Sequence, residues 1–112
     1  MGKFEVYQCG GSKKEFRFRL KADNGQIILS SEGYTSKSSC LNGIESVKRN
    51  AVDPKRFAKT TTTSNVFRFA IKATNNQIIG TSQNYKSESG CNNGVESVRR
   101  NAPKANIKEV EK

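Results

Sequence analysis

Phe16 to Ala51 reads FRFRLKADNGQIILSSEGYTSKSSCLNGIESVKRNA, and Phe67 to Ala102 reads FRFAIKATNNQIIGTSQNYKSESGCNNGVESVRRNA. Aligned without a gap at an offset of 51 residues, the two stretches agree at 22 of 36 positions. This is an internal duplication. Each unit alone is too small to bury a good core, so the two are expected to pack as a pair.

Inside the first copy, Phe16, Phe18, Leu20 and Ala22 alternate with Arg17, Arg19 and Lys21, the period of a strand buried on one face and wet on the other. Asn24-Gly25 supplies residues that tolerate positive φ in a tight turn, and Gln26 to Ser30 offers β-branched residues for a return strand. Ile27, Ile28 and Leu29 are all apolar, so alternation does not decide which of them faces the core. Ser36 then reads as a helix N-cap, with Cys40, Ile44, Val47 and Ala51 following at helical spacing and Leu41 beside them. Asn50 suits a left-handed C-cap, and Pro54 lies where the helix can no longer continue. In the second copy Ser87, Cys91, Val95, Val98, Asn101, Ala102 and Pro103 hold the same places.

Outside the copies, Phe4 and Val6 alternate with Glu5 and Tyr7 in a short strand that meets a loop at Gly10-Gly11-Ser12. Arg56 to Thr63 is rich in β-branched residues and precedes a Ser64-Asn65 turn and a strand from Val66 to Ala73. By the same offset, its first half matches Ile107 to Val110, which reads as a further strand of poor alternation. Strand, hairpin, helix and strand, written twice, give an α+β protein: an antiparallel sheet with both helices on one face. The expected organisation is a single pseudo-twofold domain, residues 1–112, with its first repeat over 1–54 and its second over 55–112.

Gly43 and Gly94 fall inside the helices, where glycine costs about 1 kcal/mol relative to alanine. Close packing of the helix against the sheet is the expected reason. Tyr34 and Tyr85, two residues before the caps, are expected to pack at the strand-to-helix corners rather than stack on a ligand. Glu45 with Arg49 and Glu96 with Arg100 are i,i+4 pairs on the outer helix face.

The blocks FRFRLKADNGQII, YTSK and NGIESVKRNA resemble the YegP-like family of small bacterial proteins. The resemblance implies two β-β-β-α-β units sharing one sheet and exchanging their last strands. This chain departs from the pattern at Asn76 in the second turn, Gly80 in the second return strand and Asn92 where the first copy has Leu41. The family carries no established activity, so the resemblance transfers no site residue.

Composition narrows the function. The 112 residues carry 20 Lys and Arg against 10 Asp and Glu, and Lys48 to Lys72 alone holds seven bases and one acid, Asp53. Such an excess suits nucleic acid or an acidic partner, and it also serves solubility. There is no histidine, and the three cysteines, Cys9, Cys40 and Cys91, show no C-x-x-C spacing. No catalytic residue, metal ligand or cofactor site is therefore expected. Cys40 and Cys91 lie on apolar helix faces and read as small hydrophobes, while Cys9 reads as the more exposed thiol. The N-terminus holds no apolar leader, Gly2 lacks the Ser or Thr a myristoylation signal wants at Val6, and no run approaches a membrane span. A cytoplasmic, non-enzymatic module is the expectation. The pointer toward a function is an outward row, Arg17, Arg19 and Lys21, with Arg68 and Lys72 matching it in the second copy and Ala70 leaving a gap. One basic sheet face would bind phosphates of nucleic acid in a salt-sensitive way, with no exposed aromatic to stack bases. The alternative is a protein-interaction or stress-associated module whose basic face meets an acidic protein. The chain is expected as a monomer built as a pseudo-dimer, with a homo-oligomer as the other arrangement.

Overall fold

The structure is a computed structural model describing residues 2–9 and 15–110. The loop expected at Gly10-Gly11-Ser12 lies outside the described residues, as does the side chain of Cys9. The chain runs β1 (Lys3–Cys9), β2 (Glu15–Lys21), β3 (Ile27–Ser30), α1 (Lys37–Asn50), β4 (Phe57–Thr61), β5 (Phe67–Lys72), β6 (Ile78–Thr81), α2 (Glu88–Asn101) and β7 (Asn106–Glu109). All seven strands form one sheet in the order β4-β5-β6-β3-β2-β1-β7.

The two halves join where β3 meets β6, through the antiparallel pair Ser30↔Thr81. These residues occupy the same place in the two copies, so a pseudo-twofold axis passes between them. The strand that follows α1 opens the second half, whereas the strand that follows α2 crosses into the first. β4 leaves α1 and pairs β5, and β7 leaves α2 and pairs β1. The β1–β7 ladder is the one parallel pairing among strands that otherwise run antiparallel. Among the described residues β4 therefore ends the sheet bare, whereas β1, its counterpart, is covered by β7.

Local chemistry places the elements. Gly25 takes φ 84° at the end of the first hairpin turn, and Asn76, its counterpart, takes φ 68°. Asparagine tolerates that left-handed region better than other side chains, so the lost glycine costs the second turn little. The Ser36 hydroxyl accepts from the Ser39 amide at 3.1 Å, and that of Ser87 from Gly90 at 3.0 Å, capping both helices.

Asn50 does not make a left-handed cap. It stays helical, and its Nδ2 donates to the Ser46 carbonyl at 2.8 Å, as Asn101 does to Ser97 at 2.7 Å. The chain leaves each helix through a 3-10 turn, Pro54–Arg56 after the first and Ala102–Lys104 after the second. Arg56 thus lies in the turn and not in the strand expected to start there.

Both helices lie on one face of the sheet and straddle the junction. α1 covers β2 and also β5 and β6 of the other half, while α2 covers β5 and also β3. One continuous core results. Phe4, Phe18, Leu20, Ile44 and Val47 join Phe69, Ile71, Cys91 and Val98 in it. Ile28 and Leu29 are both buried, and Ile27 is the exposed member of that triplet.

The helix glycines mark the closest approach. A Cβ at Gly43 would meet the Tyr34 hydroxyl and lie 2.8 Å from Tyr34 Cζ, and one at Gly94 would meet the Tyr85 hydroxyl and lie 2.7 Å from Cζ. Each tyrosine ring stacks on a core phenylalanine, Tyr34 on Phe18 at 6.2 Å and Tyr85 on Phe69 at 6.3 Å. Mutual backbone bonds between Phe16 and Tyr34, and between Phe67 and Tyr85, hold these corners in place. No helix among the described residues is long and apolar enough to cross a membrane.

Candidate functional site

The helices leave the other face of the sheet open, and strand alternation decides what stands there. In β2, Phe18 and Leu20 turn toward the helices, so Arg17, Arg19 and Lys21 leave on the open side. In β5, Phe69 and Ile71 do the same, and Arg68, Ala70 and Lys72 face outward. β3 and β6 separate the two rows, which puts them about 14 Å apart on one surface. All five expected cations do share a face.

They are not equivalent. Glu5, opposite Arg19 in the β1–β2 ladder, is buried at 4% exposure although it points to the open side. Its carboxylate accepts from Arg19 Nε at 2.7 Å and lies 3.3 Å from Lys21 Nζ and 3.8 Å from Lys3 Nζ. Burial alone would push the Glu5 carboxyl up, but the bonds and charge of Arg19 and Lys21 outweigh it and hold the group below its ordinary value. Arg17 meets Glu15 at 3.3 Å. Lys108 of β7 stands beside Glu5 on the outer strand. Three of the five cations are thus engaged by carboxylates, whereas Arg68 and Lys72 meet none among the described residues.

One aromatic does stand on this face. Tyr7 lies beneath the Arg19 guanidinium, 4.9 Å from ring centroid to Cζ, which corrects the expectation that the basic face carries no aromatic. The period of β1 carried that signal, since Tyr7 alternates with the buried Val6. Glu5 was equally visible in sequence as an outward acid. Its burial was not, because the stems that cover it come from a neighbouring strand.

The other candidates resolve as structural. Burial pushes the Cys40 thiol up to about 11 and also raises Cys91, so both remain protonated and pack as hydrophobes. Burial likewise raises the phenols of Tyr34 and Tyr85, wedged under their helices. Glu96 meets Arg99 at 3.0 Å, at i,i+3, rather than Arg100, and Glu45 has no ion pair among the described residues. No group of three His, Cys, Asp or Glu suited to a metal occurs among the described residues. A cleft of about 620 Å³ between α1 and the β5–β6 turn, lined by Asn42, Ser46, Asn75, Gln77, Ile78 and Ile79 among others, gathers no set of charges or nucleophiles.

Comparison with known proteins agrees with this architecture. A family described as a domain of unknown function, DUF1508, matches twice, over residues 12–57 and 63–109. The chain belongs to this family. Relatives align along nearly the whole chain. A UPF0339 protein in the ptx operon 5′ region of Stutzerimonas stutzeri is 52% identical over 97% of this chain and 96% of its own length. The UPF0339 protein YegP of Escherichia coli K12 is 43% identical over 96% of each chain. Two solution NMR structures superpose with a TM-score of 0.91. One is a UPF0339 protein from Shewanella oneidensis, 44% identical over 98% of this chain and 92% of that one. The other is YegP from E. coli, described as a protein of unknown function, 41% identical over 98% and 93%.

Proposed function

We propose that this DUF1508 chain is a cytoplasmic, non-enzymatic binding module that holds nucleic acid through its phosphates on the open face of the sheet. The observation that carries the reading is the face itself. Lys3, Arg17, Arg19, Lys21, Arg68, Lys72 and Lys108 all stand on it, and Glu5, the acid at the centre of one group, is buried beneath its partners. A polyanion approaching from solvent meets the cations first.

The Glu5 pairings change which residues test the idea. Arg19 is tied to a buried carboxylate, so its removal perturbs the fold as well as the surface. Arg17, Arg68 and Lys72 are the informative positions, because Arg17 is 42% exposed and the other two are free of carboxylates. Affinity of the parent for mixed-sequence RNA or DNA should fall with salt, at a log-log slope of about 0.7 to 0.9 for each phosphate neutralised. Substituting these three residues by Gln should flatten the slope by about two units without changing the melting temperature. An unchanged slope would remove this face from consideration.

A second reading is a protein partner with an acidic surface, and the exposed Ile27 and Ile78 on the same face favour it. Capture from lysate with and without nuclease separates the two. Retention of nucleic acid that nuclease abolishes supports the first, and a nuclease-resistant acidic protein partner supports the second.

A further inference from the structure

The β1–β2 ladder and its counterpart, β4–β5, differ on the open face at three positions related by the pseudo-twofold axis. In the first half, Glu5 faces Arg19 and Tyr7 faces Arg17 across the β1–β2 ladder. In the second, the equivalent pairs are Ala58 with Ala70 and Thr60 with Arg68. Where Glu5, Arg19 and Tyr7 fill the surface, Ala58, Ala70 and Thr60 leave a depression of about 370 Å³. Ala58 and Ala70 line it together with Thr60, Ile78 and the two cations Arg68 and Lys72. Arg68 and Lys72 lie four residues apart on one strand, hence about 13 Å, with Ala70 midway between them. No carboxylate occupies the gap or engages either cation among the described residues.

Resting on the reading of the basic face given above, we propose that this depression seats one nucleotide of a single strand. The base lies on the alanine methyls against Ile78, and the flanking phosphates reach Arg68 and Lys72. The chemistry selects an extended single strand over a duplex. A base can enter the depression only when it is free to leave its stack, and the paired bases of a duplex are not. The alanine floor offers apolar contact, and the Thr60 and Thr81 hydroxyls beside it rotate to donate or accept alike, so recognition tolerates any base. The first half gives phosphate contact alone, because Arg19 and Tyr7 already fill the corresponding space.

The duplication itself supplies the test. Ala58→Glu combined with Ala70→Arg rebuilds in the second half the pair found in the first, filling the depression with no change in net charge. Ala70→Met fills it without charge and serves as an independent variant if the first fails to fold. Binding of a labelled thymidine strand of about ten nucleotides, and of a labelled duplex, is followed by fluorescence anisotropy at fixed salt. Filling the depression should weaken single-strand binding at least tenfold and leave duplex binding within about twofold. If a folded variant binds the strand as tightly as the parent, the depression is not the seat, although the basic face still stands. If the parent binds neither probe, the basic-face reading fails and this inference with it.

Discussion

Leu29 fills the space that a side chain at Gly80 would need: a Cβ built on Gly80 would lie 2.9 Å from both Cγ and Cδ2 of Leu29. The two residues hold the same place in the two repeats, and the axis that relates them passes beside them through Ser30↔Thr81. Equivalent inward positions therefore face each other across the axis, and the space admits one leucine. The glycine that departs from the family pattern is what lets the halves close. It also makes the halves non-interchangeable, since two copies of the first would set leucine against leucine and two of the second would leave a hole.

Exchanging the two residues tests this directly. Leu29→Gly should cost about 3–5 kcal/mol through the cavity it leaves, and Gly80→Leu about 1–3 kcal/mol through overpacking. The double variant should recover a large part of both losses, giving a favourable coupling above about 1 kcal/mol in urea denaturation. Strict additivity would show that the two residues do not share one space.

The helix glycines lead to a sign reversal. On an ordinary helix Gly→Ala stabilises by about 1 kcal/mol. At Gly43 and Gly94 the added methyl meets a tyrosine ring that is itself stacked on the core, so each substitution should destabilise by about 1–3 kcal/mol. Thermal melts of the two alanine variants decide the matter. A rise in melting temperature would mean that the tyrosines yield easily.

Two further departures between the repeats belong to the bare edge of β4. Register places Lys59 where β1 has Val6, and the offset of the copies places Asn92 where α1 has Leu41. On the β1 side β7 covers the edge, bonding from the Val110 amide to the Val6 carbonyl at 2.9 Å, with Glu109 meeting Lys37 of α1. On the β4 side no strand follows among the described residues, and Lys59 Nζ reaches Asn92 at 2.5 Å over the open edge. An unpaired strand carrying an apolar border would recruit another chain, and lysine on the edge opposes that. Lys59→Val with Asn92→Leu should therefore produce concentration-dependent association beyond that of the parent in light scattering, while either repeat's core stays intact. A double variant that associates no more than the parent at high concentration would show that the edge needs no such protection.

Much of this fold was legible because the duplication displays the same periods twice. Alternation at Phe16 to Ala22 and helical spacing from Cys40 to Ala51 act locally, and both are found where the sequence put them. The helix ends were misread at Asn50 because an asparagine side chain can return to the preceding turn instead of the backbone turning left-handed. The basic face was legible by residue but not by energy. Nothing local to Glu5 says that Arg19 and Lys21, sixteen or fewer residues away, will bury it, and a surface arginine became the half-buried partner of a buried acid in consequence. The depression at Ala58 was equally out of reach, since its depth comes from comparing ladders and not from any one strand.

Glu5 makes stability depend on pH in a defined window. Its carboxyl titrates below the ordinary value of 4.5 in the folded chain, since Arg19 and Lys21 favour the charged form more than burial opposes it. A group whose pKa is depressed on folding contributes stability that is complete above the unfolded value and is lost as pH falls through the folded one. Parent stability attributable to this carboxylate should therefore be constant near neutrality and decline below about pH 4.5. Glu5→Gln removes the negative charge and replaces one carboxylate oxygen by an amide that donates, leaving Arg19 and Lys21 a neutral acceptor in place of a charged one, which should cost about 1–3 kcal/mol at pH 7. Arg19→Gln should cost a similar amount, because Glu5 then stays buried with Lys21 and the more distant Lys3 as its ion-pair partners. The sign is checked by melting parent and Glu5→Gln between pH 7 and pH 3. Their difference should be widest at pH 7 and close as the parent's carboxylate takes up its proton. A gap that stays constant to pH 3 would mean that packing, and not the charge, is what Glu5 supplies.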